Sequence, residues 1–209
     1  MINNVYMVDY NSKGSLKEVD LPVRKYPRIF PVPDTVINKN SQFIFPFNIE
    51  NIELYPEFYG VIDEKEKINY SVGFAVWTDQ LIKNCNSSYP RDIIVNNYYG
   101  YYFDNTKIIN SNNKNLIKKN VRDYVIKLNI FNEDDENIKM YDMSKLLFNV
   151  EEIINEMKRF LKFHKGDLIC LGRVGKGIII NKNIINNIIK INIKIPEIIT
   201  RSIVIKKGV

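Results

Sequence analysis

A chain of 209 residues, 45% hydrophobic and 12% aromatic, is long enough to bury one sizeable core and has the make-up of an ordinary globular domain. Lys and Arg total 30 against 24 Asp and Glu, and the basic residues are scattered singly, so the modest +6 charge lacks the stripe expected of a nucleic-acid binder. The two cysteines, Cys85 and Cys170, are far apart with no CxxC spacing, no apolar run approaches the roughly 18 residues that span a bilayer, and the start MINNVYMVDY lacks a signal layout, so a cytoplasmic protein without a disulfide scaffold is expected.

The alternation in VYMVDY predicts a first strand, and Asn11 to Ser15 a turn. Pro22, Pro27, Pro31 and Pro33 then exclude a helix and favour an extended, edge-strand crossing. Residues 1–45 read as a strand and a proline-rich wrapping segment, and residues 46–209 as a single compact unit. Phe43 to Phe47 and Ile49 to Leu54 predict short strands, Tyr55 to Asp63 reads as a further strand leaving Pro56, and another covers Ile68 to Asp79 beyond a polar turn. Asn110 to Lys119 reads as a surface loop, Val121 to Phe131 as a half-buried strand, and the acidic Asn132 to Asn137 as a solvated hairpin turn without the spacing of a calcium loop.

The most informative stretch is Met140 to Gly177. Asn149 followed by Glu152 is a capping box, with Phe148 and Ile153 at the staple positions. Val150, Ile153, Ile154, Met157, Phe160 and Leu161 form one apolar stripe, predicting a main amphipathic helix over about 149–163. His164, the sole histidine, reads as a partner for the helix C-terminus and not as a catalyst. Leu168 to Leu171 predicts a buried strand. Gly172 to Gly177 follows with glycines at the wrong spacing for a phosphate loop and no helix behind them. Ile191 to Ile195 and Ile203 to Ile205 alternate as strands.

The succession YDMSKLLFNVEEIINEM, HKGDLICLG and RVGKG resembles the C-terminal half of the fumarylacetoacetate hydrolase superfamily in its compact form. MVDYNSKGSLKEVDLPVRKYPRIFPVP is similar to the opening of such proteins, so the resemblance reaches almost the whole chain. It implies a mostly β, α+β fold, a mixed β-sheet roll. Family enzymes hydrolyse, decarboxylate, isomerise or dehydrate 2-oxo acids with a divalent cation such as Mg²⁺. The resemblance places two of the metal-binding carboxylate positions on Glu57 and Asp79, and puts Tyr55 where a third is expected. The family's catalytic His falls near Lys13. Its Glu partner matches Glu18 across a two-residue insertion, and its substrate-binding Lys falls on Tyr101, with Lys107 six residues further on and out of reach along the chain. Arg173-Val174 replaces the Thr-Pro of the glycine loop.

Two functions follow from this resemblance. The first is a non-catalytic or regulatory subunit that keeps the fold and pairs with itself or with another protein. The alternative is an active Mg²⁺-dependent hydrolase or lyase on a small 2-oxo acid. In that case Glu18 and Arg173 act as catalytic groups, Tyr101 and Lys176 hold substrate beside the Tyr98 to Tyr102 cluster, and Glu57 and Asp79 hold metal. No membrane partner is expected under either.

Overall fold

In a computed structural model of the chain, residues 2–18, 22–46, 48–78, 105–109, 120–131, 136–185, 188–195 and 199–207 are described. They form two curled sheets and few helices. The larger sheet contains β1 (Val5–Asp9), β2 (Arg28–Val32), β3 (Ile37–Asn38), β5 (Asn51–Ile62), β6 (Ile68–Trp77), β7 (Lys107–Ile108), β10 (Leu168–Cys170) and β11 (Ile178–Asn181). Its strands run in the order β2-β1-β10-β5-β6-β7-β3, with β11 also on β5. The second sheet has the order β4-β13-β12-β8-β9, formed by β4 (Gln42–Phe45), β8 (Val125–Phe131), β9 (Glu136–Asp142), β12 (Ile188–Ile195) and β13 (Ile199–Lys207).

The alternation along the tail decides which face of the second sheet is dry: Ile191, Ile193 and Ile205 are buried, while Lys190 and Lys194 point to solvent. They join Phe43, Phe45, Ile126 and Leu128 against the larger sheet, and the Phe58 and Tyr124 rings meet at 6.0 Å. The predicted strand at the N-terminus is β1, and the proline-rich segment supplies β2, an edge strand in which Pro31 is tolerated.

Four local expectations are corrected. Asn11 to Ser15 is not a turn throughout: α1 (Lys13–Glu18) begins there, because Ser12 Oγ accepts the Ser15 backbone N–H at 3.1 Å and so caps a short helix. Pro56 does not start a strand but lies inside the twelve-residue β5. The Val121 to Phe131 segment opens with a single 3₁₀ turn at Val121–Asp123 before β8 begins. The main helix, α2 (Val150–Met157), has the expected capping box but ends at Met157, six residues short of the expected boundary. Phe160 and Leu161 therefore leave the stripe and stand 73% and 40% exposed, while Phe163 is buried with its ring 6.5 Å from that of Tyr6 on β1. His164, its side chain exposed, lies seven residues beyond the end of α2. Its backbone N–H instead donates to the fully buried Asp167 at 2.8 Å, closing the turn into β10.

Candidate functional site

The site grows from an interruption in one edge of β5. On that edge β11 pairs with Asn51 to Leu54 and β10 with Tyr59 to Val61, which leaves residues 55–58 without a strand partner. Pro56, which has no N–H to place, falls in this interval. The glycine loop fills it: the Leu171 N–H donates to the Phe58 carbonyl at 3.0 Å, and the chain then runs back along β5 to Gly177. Gly172 is at φ +79, and a side chain there would meet the Val8 carbonyl oxygen at 2.4 Å, so only glycine allows the loop to start this close to β1.

Glu53, Tyr55 and Glu57 alternate along β5 and share one face, opposite Trp77, Ala75 and Gly73 of β6. Lys107 of β7 lies opposite Ala75 in register, one strand further across. Its ammonium reaches Glu57 Oε2 at 2.6 Å, with the two side chains 1% and 4% exposed. The other oxygen, Glu57 Oε1, accepts the Gly172 N–H at 2.8 Å. The Lys107 ammonium also stands 6.0 Å from the centre of the Tyr55 ring, close enough for a cation–π attraction. Cys170 completes the cluster from β10. Its thiol is pushed upward by burial and by Glu57, an effect that Lys107 partly opposes, so it stands here as a protonated, packed group.

Glu53 holds the other end of the loop, about 13 Å along the strand from Glu57. Arg173 Nη1 donates to Glu53 Oε2 at 3.1 Å while its guanidinium lies 5.5 Å from the Trp77 ring centre. The Gly177 N–H donates to Glu53 Oε1. Burial raises the Tyr141 phenol, and the Glu53 carboxylate raises it further, so Tyr141 is a neutral neighbour of this pair. The loop is thus pinned by one carboxylate at each end. Gly14 of α1 faces Gly175 across the loop, which brings the start of that helix beside it.

The candidate residues separate as follows. Glu57 is at the centre of the cluster. Arg173 is buried but turned to Glu53, and Lys176 is exposed. Glu18 ends α1; Asp79 and Tyr101 lie outside the described residues, as do the whole Tyr98 to Tyr102 cluster and the whole Asn110 to Lys119 loop. Lys107 corrects the reading that it lies out of reach: the return of β7 against β6 replaces a long path along the chain with one step across a sheet. Glu53 was also missed. Its signal was the two-residue alternation Glu53, Tyr55, Glu57 on a single strand.

Among the described residues, the donors around Glu57 do not fit a bound Mg²⁺. Both oxygens of Glu57 are already engaged, one by an ammonium at contact distance, and a divalent cation would have to share one carboxylate with that ammonium. Among the described residues, no group of three or more His, Cys, Asp or Glu side chains could hold a metal ion. Nor is any helix there long and apolar enough to cross a membrane.

No family model and no curated protein match the sequence. Solved structures do match its fold. A protein from Yersinia pestis CO92 assigned to the fumarylacetoacetate hydrolase family is 14% identical, with a TM-score of 0.72 over 98% of this chain and 94% of that one. The 5-carboxymethyl-2-hydroxymuconate delta-isomerase of Mycobacterium smegmatis is 16% identical, with a TM-score of 0.66 over 100% of this chain and 80% of that one. A protein from Burkholderia cenocepacia assigned as a fumarylpyruvate hydrolase is 14% identical, with a TM-score of 0.69 over 100% and 90%. The motifs in the sequence and the match over the whole length agree that this chain is built on the fold of the fumarylacetoacetate hydrolase family.

Proposed function

We propose that this protein is a non-catalytic member of the fold, a regulatory or companion subunit that keeps the scaffold without the metal-dependent reaction. The observation that carries the reading is the engagement of both Glu57 oxygens: one is held by Lys107 and the other by the Gly172 N–H, so a metal ion would have to compete with an ammonium and a backbone donor for this carboxylate. The loop supports this, because Arg173 is committed to Glu53 and does not point at Glu57. The test is an assay of the full chain against acylpyruvates and other small 2-oxo acids, with and without Mg²⁺ or Mn²⁺. No turnover above the uncatalysed rate is expected. Turnover that disappears in E57Q would overturn the reading.

A second reading, an active hydrolase or isomerase on a small 2-oxo acid, is favoured by one observation: a lysine does stand beside Glu57, where it could meet an anionic substrate. The names of the similar proteins point the same way. The same assay separates the two.

A further inference from the structure

We infer that Lys107 is a built-in counter-cation that takes over the charge role of a divalent metal at Glu57, making this centre complete without one. The inference deepens the non-catalytic reading and rests on the same residues, but it concerns ion occupancy and not turnover.

The argument starts from charge. A carboxylate that is 4% exposed needs a cation or strong donors, and Glu57 has both in Lys107 and the Gly172 N–H. One carboxylate against one ammonium is neutral. Counted over the described residues, a divalent ion added beside them would leave two positive charges without a partner in a buried cluster, whereas the single ammonium leaves none. Tyr55 fits the same logic. Placed between Glu53 and Glu57 on one face, it offers Lys107 the face of a ring at 6.0 Å, which attracts a monovalent cation without contributing a second negative charge.

Lys107 is also held firmly in place. The Val76 N–H donates to the Thr106 carbonyl at 2.8 Å and the Ile109 N–H to the Asn38 carbonyl at 2.9 Å, fixing the backbone on both sides of the lysine. Opposite Glu57, Gly73 leaves so little room that an added Cβ would lie 2.3 Å from the Ile108 carbonyl oxygen. The β7 backbone is therefore pressed against β6 at the point that sends the lysine to Glu57. The ammonium is thus presented from a strand of the sheet.

The test is thermal unfolding and calorimetric titration of the full chain with MgCl₂, MnCl₂ and CaCl₂, on wild type, K107M and E57Q/K107M. Wild type should show no Tm change with EDTA or millimolar divalent ions and no stoichiometric heat. K107M should lose about 10 °C in Tm, because a buried carboxylate is left unpaired. Millimolar Mn²⁺ or Ca²⁺ should restore much of that loss and bind near one per chain. E57Q/K107M, which removes the unpaired charge, should ignore the ions. Should K107M fail to fold, K107Q, which keeps a donor to Glu57, carries the same titration. Stoichiometric metal uptake by wild type that E57Q abolishes overturns the inference, and so does a folded lysine variant that ignores divalent ions. Turnover by a metal-free wild type would overturn the non-catalytic reading and leave this one standing.

Discussion

Glu57 and Lys107 are fifty positions apart in the chain and 2.6 Å apart in space, on two strands separated only by β6. Their energy of interaction can be measured by a double-mutant cycle in urea. Glu57→Ala and Lys107→Ala should each cost about 3–5 kcal/mol, since each leaves the other charge buried and alone. Glu57→Ala with Lys107→Ala together should cost clearly less than the sum. Additive losses would mean the two charges are not coupled.

Asn11 is fully buried and bonds three ways. Its Nδ2 donates to the carbonyls of Phe148 and Leu171, each at 3.0 Å, and its Oδ1 accepts the Phe148 N–H at 2.8 Å. It ties the end of β1 to the entry of α2 and to the start of the glycine loop. Asn11→Ala should cost about 2–4 kcal/mol, because three backbone groups lose partners. Asn11→Asp should be at least as damaging, since an acceptor would then face two carbonyl oxygens. Chemical denaturation of both variants checks the order.

Two glycines of the loop should behave differently. Gly172→Ala meets the Val8 carbonyl oxygen at 2.4 Å in addition to a φ of +79, so soluble expression should fall sharply. Gly175 has a similar φ of +76 with nothing within 4 Å of an added Cβ, so Gly175→Ala should cost only about 1–2 kcal/mol. Equal losses in the two variants would show that close approach to β1 does not constrain the loop.

The capping box of α2 should be worth about 1 kcal/mol. Asn149 accepts the Glu152 N–H at 2.8 Å, and Glu152 accepts the Asn149 N–H at 2.6 Å. Asn149→Ala should lower the urea midpoint slightly and Asn149→Asp should leave it nearly unchanged.

Burial pushes the Cys170 thiol above the usual thiol range. The sign follows from linkage. Below that range the thiol is protonated in both folded and unfolded chains, and it contributes no pH dependence. As pH rises through it, the unfolded thiol ionises while the folded one does not, so stability falls. Tyr70 and Tyr141, also pushed up by burial, extend the loss further into alkali. The unfolding midpoint should drop between pH 7 and pH 10, and this drop should shrink in Cys170→Ala. A thiol reagent should label Cys170 only as fast as the protein unfolds.

The start of α2 was legible because capping is local: Asn149 and Glu152 interact over a single turn, and no distant residue is needed to complete them. The edge character of β2 was legible for the same reason, since each proline carries its own constraint. The end of α2 was not, because which of Phe160, Leu161 and Phe163 is buried depends on contacts with distant strands, such as Phe163 on Tyr6 of β1. Nor was the continuity of β5 through Pro56, which depends on a gap between β10 and β11 that exists only in the assembled sheet.

By itself the sequence determined the order of elements, the alternation that buries one face of the second sheet, the capping of its main helix and the family whose fold it shares, all properties carried by near neighbours in the chain. Only the tertiary structure decided that Lys107 meets Glu57 and that Arg173 turns to Glu53. Those pairings depend on the register between strands distant in sequence, and separation along the chain carries no information about distance once sheets have closed.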